Sequence, residues 1–225
     1  MRSRDSSSQI NDTRNFNEAH SPQGTLTSMS LPSISDIINS DGSRTSPLAQ
    51  GLAPLFEPSE ILFNQVIPYL TEHQAKITSY NNLIELSTEY ILKLSLADQA
   101  TFIAGHPRIG EVSGLSALSA AEQASVATPP AVLARLEHLN SLYERRYPGL
   151  VYITFVAGRT RAQIVPEMEQ VLGLQEAEEG KEMEPPFGTI KPVEVGGDEW
   201  KKELHRAVID VGRIAKSRLA KMGVE

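Results

Sequence analysis

Residues 130–156 read PAVLARLEHLNSLYERRYPGLVYITFV, and this stretch decides the fold. Val132, Leu133, Leu136, Leu139, Leu142 and Tyr143 recur at spacings of three and four, the stripe of an amphipathic helix over Pro130–Tyr147. Pro148-Gly149 breaks it. Leu150–Val156 (LVYITFV) is then apolar and β-branched, which favours extended backbone over helix. The chain offers it no convincing partner strand. Strong helices around one solitary extended segment predict an all-α fold: an irregular bundle of about seven or eight helices, with the extended segment buried among them.

On either side of this stretch the periodicity is helical. Pro58-Ser59-Glu60 opens a helix carrying Ile61, Leu62, Val66, Ile67 and Leu70, with Pro68 expected to kink or end it. Leu83, Leu86, Tyr90, Ile91 and Leu94 stripe a helix over about 79–94, and a short one follows from Asp98 to Ala104. Ser119 and Glu122 have capping-box spacing. Thr160 caps a helix to about Leu172, and Trp200, Leu204, Val208, Val211, Ala215 and Arg218 step along a last helix from about 199 to 221. Residues 174–198, rich in acids, prolines and glycines, read as a surface loop inserted in a helical domain spanning 49–225. The first fifty residues hold twelve serines and few apolar groups. Residues 1–48 therefore read as a disordered tail with a short docking turn in Leu31–Ile38, because such a segment cannot offset its ordering entropy by burial.

Composition excludes several function classes. The chain has 225 residues, no cysteine and a net charge of −7. Thiolate nucleophiles, Cys zinc sites and iron–sulfur clusters are ruled out. The acidic balance argues against nucleic-acid or membrane-surface binding, and no apolar run approaches the ~20 residues that span a bilayer. There is no P-loop, GxGxxG, HExxH or GxSxG, and the five histidines lack metal-ligand spacing, so no metal site is expected.

A few residues stand out chemically. His106 lies between Gly105 and Pro107 at a helix end, where an imidazole either faces a cleft for proton transfer or complements the helix dipole. Arg218 sits near the apolar stripe of the last helix, and a buried arginine needs an anionic or multi-acceptor partner. Snorkelling past the stripe's edge is the alternative. Glu122 and Gln123 read either as cap and surface or as ligand groups. The lone extended segment leaves backbone N–H and C=O groups that must pair with loops, water or a ligand.

Taken in order, five motifs carry a family resemblance: Gly105-His106-Pro107-Arg108-Ile109-Gly110, Ser119-x-x-Glu122-Gln123, Leu139-Asn140-x-x-Tyr143-x-x-Arg146-Tyr147, Ile153–Val156 before Gly158-Arg159-Thr160, and Ile214-Ala215-Lys216-Ser217-Arg218-Leu219. Over roughly 50–222 the chain resembles the OHCU decarboxylase family, which acts on 2-oxo-4-hydroxy-4-carboxy-5-ureidoimidazoline (OHCU). The resemblance implies an all-α fold and cofactor-independent decarboxylation of OHCU to (S)-allantoin and carbon dioxide in urate breakdown. It implies catalytic roles for His106, Glu122 and Arg218. The implied substrate contacts are Pro107, the segment Ser119, Ala120, Ala121, Glu122 and Gln123, and the extended Tyr152, Ile153, Thr154, Phe155 and Val156. It implies no metal and no organic cofactor, a small-molecule partner, and leaves a homodimer open. A cytoplasmic location is the expectation; Met222-Gly-Val-Glu225 is not a peroxisomal Ser-Lys-Leu signal, although a peroxisomal location also stays open. Arg108 stands where many family members have Asp. That keeps open a decarboxylase of changed specificity for a related ureido acid; a non-catalytic helical interaction module is the other alternative.

Overall fold

The computed structural model describes residues 30–111, 115–116, 118–120, 128–174 and 190–223. Their helices are α1 (Ile34–Ile38), α2 (Pro47–Phe56), α3 (Ile67–Glu72), α4 (Tyr80–Ile91), α5 (Leu96–Ala104), α6 (Pro130–Arg146), α7 (Arg161–Leu172) and α8 (Asp198–Lys221). Residues 118–120 are helical as well. No strand occurs among the described residues, so the all-α expectation holds. None of their helices is long and apolar enough to cross a membrane.

Ordered structure begins well before residue 48. Ser33 and Asp36 form a capping box on α1, inside the stretch read as a docking turn, and Ile37 is fully buried. Ser46 caps α2 with Pro47 in its first turn, the backbone arrangement proline favours. Leu48, Leu52, Leu55 and Phe56 carry its apolar face into the core. The serine-rich surroundings masked this helix in the sequence.

Pro68 does not end its helix. The preceding turn, Leu62–Val66, is π-helical and leads directly into α3, with Pro68 in the first turn of α3. A wider turn ahead of the proline accommodates its missing N–H and its ring. Serines cap the next two helices, Ser79 on α4 and Ser95 on α5, the latter three residues before the predicted Asp98 start.

Helix α8 organises the bundle, packing against α2, α4 and α5, while α6 packs on α7. Its inner face is Trp200, Leu204, Ala207, Val208, Val211, Ala215 and Leu219. Gly212 allows the close approach to α4: a Cβ there would lie 2.7 Å from Thr88 Oγ1. The extended 150–156 segment is half-buried, with Leu150, Tyr152 and Ile153 inside. Where the 174–198 loop re-enters the described residues it is tied to α6: the Val193 N–H donates to the Arg146 carbonyl at 2.8 Å, and Arg145 Nε donates to the Ile190 carbonyl at 3.0 Å. The effect of this frame is to bring the C-terminal ends of α2, α5 and α8 to one place.

Candidate active site

Helix α5 ends at Ala104, and the turn after it is rigid. Asn140 Nδ2 of α6 donates to the Ile109 carbonyl at 3.0 Å. Gly110, at φ +84°, lies so close to Leu136 that a Cβ would meet it at 3.1 Å. These contacts hold residues 105–110 against α6.

Within that turn His106 is buried, 8% exposed, edge-on to the Phe102 ring. Its Nδ1 lies 3.1 Å from the Phe102 carbonyl, which also accepts from the Gly105 N–H at 3.2 Å at the end of α5. A carbonyl only accepts, so Nδ1 carries the proton and Nε2 keeps its lone pair. Nε2 is buried and has no hydrogen-bond partner among the described residues. One ring nitrogen thus caps the helix end, and the residue also lines a cavity.

That cavity is about 480 Å³ and is lined by Glu57, Pro58, Gly105, His106, Pro107, Glu111, Leu115 and Ser116. Its size suits a small-molecule ligand. Glu57 follows the last residue of α2 and is 5% exposed. Its backbone is held at φ +61°, ψ 140°, an arrangement that costs a non-glycine residue roughly 1–3 kcal/mol and that tends to persist at functional sites. The carboxylate accepts from Ser119 Oγ at 2.6 Å and Ser116 Oγ at 3.0 Å, and pairs with Arg218 at 2.7 Å. Burial pushes the Glu57 carboxyl up. The Ser119 hydrogen bond, the Arg218 charge and Ser116 outweigh it and hold the group below the usual carboxylate range.

Arg218 is 4% exposed and does not snorkel. From the last turn of α8 it donates to the Pro54 and Leu55 carbonyls at 3.1 and 3.3 Å, at the C-terminal end of α2, and to Ser119 Oγ at 2.9 Å. Arg218, Ser119 and Glu57 thus form one buried wall beside His106. The planar guanidinium suits four acceptors spread in this way.

The remaining predicted residues fall in three groups. Pro107 lines the cavity beside His106. Ala120 is exposed in the helical turn, and Ala121, Glu122 and Gln123 lie outside the described residues. Tyr152, Thr154 and Phe155 line a second cavity, about 470 Å³, whose walls also come from α7 and α8. The carbonyl of Ile153 accepts from Arg206 at 2.7 Å, and those of Phe155 and Val156 accept from Arg159, so arginines satisfy part of the extended backbone. Arg108 turns to α6, where it makes a two-pronged contact with Glu144 at 2.5 and 2.8 Å, and it is not among the residues lining the His106 cavity. Among the described residues no group of three His, Asp or Glu side chains could hold a metal ion.

Burial drives the His106 pKa down to about 4. The Phe102 carbonyl and the Glu57 charge oppose the shift, and Arg218 adds to it. The imidazole is therefore neutral at pH 7. In the unfolded chain it titrates near 6.5 and takes up a proton that the folded chain refuses between those two values. The stability gained by keeping His106 neutral is complete above about pH 6.5 and is lost as the pH falls towards 4, about 3 kcal/mol in all. Urea denaturation at pH 7 and pH 4.5 checks this: the wild type should lose markedly more stability between the two than His106→Gln. Equal losses would contradict a buried neutral imidazole.

The sequence pattern of the OHCU decarboxylase family matches residues 44–190, well over half of the chain; His106 and Ser119 fall inside the match and Arg218 beyond it. No curated protein matches the chain. A solved structure, described as a crystal structure of (S)-allantoin synthase, is similar over 85% of this chain with 17% sequence identity and a TM-score of 0.49. The chain spans about half of that protein's length, 54%.

Proposed function

This chain belongs to the OHCU decarboxylase family, and from that premise we propose that it decarboxylates OHCU to (S)-allantoin and carbon dioxide without a cofactor. The observation that carries the reading is the bare Nε2 of a neutral His106 beside the cavity. A buried nitrogen without a partner costs stability and returns nothing in packing. A substrate hydroxyl would supply its hydrogen bond.

The chemistry needs such an acceptor first and a donor second. When the C4–carboxylate bond breaks, its electron pair flows towards C5 and the adjacent C=N, giving an enol at C4. The product has a carbonyl at C4 and a hydrogen at C5. One of the two protons required comes from the C4 hydroxyl and the other, on the ring nitrogen, from solvent. In this proposal His106 Nε2 takes the hydroxyl proton as the carbonyl forms and returns it to C5. A single relay on one side of the ring gives one enantiomer. Arg218, fixed by four acceptors, would stabilise charge developing on substrate oxygens. Glu122 and Gln123 keep their proposed substrate contacts, as do Pro107 and Ser119; Tyr152, Thr154 and Phe155 line the second cavity, which shares no lining residue with the one beside His106.

The changed-specificity alternative rested on Arg108; its pairing with Glu144 speaks against a direct substrate contact by its guanidinium, while its backbone N–H holds Glu111, which lines the cavity. A purely structural module would gain nothing from a buried Arg218–Glu57 pair beside an unsatisfied histidine, since such pairs contribute little to stability. Carbon dioxide release from OHCU by the purified chain tests the proposal. Release faster than spontaneous decay is expected, and release at the spontaneous rate would overturn it.

A further inference from the structure

Glu57 is missing from the residues to which the family resemblance assigns roles, yet it stands at the centre of the cavity wall. All three of its polar contacts, from Ser116, Ser119 and Arg218, go to one oxygen, Oε1. No hydrogen bond or ion pair reaches the second oxygen, Oε2, among the described residues; unlike His106 Nε2 it is not sealed from solvent, and its residue lines the cavity. An ionised carboxylate oxygen accepts and does not donate. The nearby His106 Nε2 is likewise an acceptor without a partner. The cavity therefore presents two acceptors that call for donors on the ligand.

We propose that Glu57 is a further substrate-contacting residue: Oε1 fixes the Arg218 guanidinium and the Ser119 hydroxyl, while Oε2 accepts a hydrogen bond from an N–H of the substrate. The inference rests on the decarboxylase reading and deepens it. OHCU carries a hydroxyl for His106 and ureido and ring N–H groups for Glu57. A ligand of similar size without such donors would strip water from this carboxylate oxygen and leave it unpaired, so the same contact rejects it. The strained backbone at Glu57 fits this role, since it carries the carboxylate out of the end of α2 and to the cavity.

Glu57→Gln tests the contact. The amide keeps one oxygen for Arg218 and Ser119 but replaces the second acceptor with a donor. KM for OHCU should rise about ten- to hundredfold, with kcat changed much less, because the lost bond is present in both ground and transition states. A folded variant with wild-type KM would overturn the proposal. A crystal structure of the wild-type protein with (S)-allantoin provides a second test that does not depend on the variant folding. An allantoin N–H within hydrogen-bond distance of Glu57 Oε2 is expected; allantoin bound away from Oε2 would overturn the proposal. A wild type that binds allantoin in this way but does not turn over OHCU would sink the decarboxylase reading while leaving the Glu57 contact standing.

Discussion

Replacing His106 with alanine is expected to abolish useful turnover of OHCU, lowering kcat about 10²- to 10⁴-fold, the range for losing a general acid–base group. KM should move far less, since Arg218 and Glu57 remain. The fold should survive. The variant removes an unsatisfied nitrogen and takes one of two donors from the Phe102 carbonyl, which keeps the Gly105 N–H, and these effects oppose one another at about 1 kcal/mol each. Steady-state kinetics with a thermal melt separates the two readouts. A folded His106→Ala protein with near-wild-type kcat would remove the proton relay from the account.

Arg218→Ala should damage both stability and activity. It leaves the Glu57 carboxylate buried without its counter-charge, and an uncompensated buried charge costs about 3–5 kcal/mol. For a chain of this length that corresponds to a fall in Tm of roughly 10 °C. The Pro54 and Leu55 carbonyls also lose a donor. Pairing Arg218→Met with Glu57→Gln removes both charges and should recover most of the stability, because the two sites are directly coupled. Activity should stay low in the single and the double variant. Full stability in Arg218→Ala would mean that the pair is not buried as described, and full activity would remove Arg218 from the site.

The fold was legible where apolar spacing is regular. α6 and α8 declare themselves through stripes whose members are now the buried residues Leu136, Leu139, Tyr143, Leu204, Val208 and Val211. The π-helical turn at 62–66 was not legible, because a 3.6-residue period carries no sign of a widened turn. Helix α2 was hidden by composition: Leu48, Leu52, Leu55 and Phe56 follow a serine-rich run, and averaging over the run buried the signal. His106 was readable from its neighbours, since glycine and proline together fix a turn. Arg218 was readable because a cation near an apolar stripe demands partners. Glu57 left almost no trace. Its one hint is an acid between an apolar helix end and Pro58, and proline restricts the backbone of the residue before it. Its partners Ser119 and Arg218 are far away in sequence, so only the packing of α8 on α2 reveals that they meet.

The most direct test of the central claim is the enantiomeric composition of the allantoin formed. OHCU would be generated in place from urate with urate oxidase and the hydrolase that follows it, and the product followed by circular dichroism with and without this chain. The account predicts rapid enzyme-dependent formation of optically active (S)-allantoin. Racemic allantoin appearing at the spontaneous rate would contradict it.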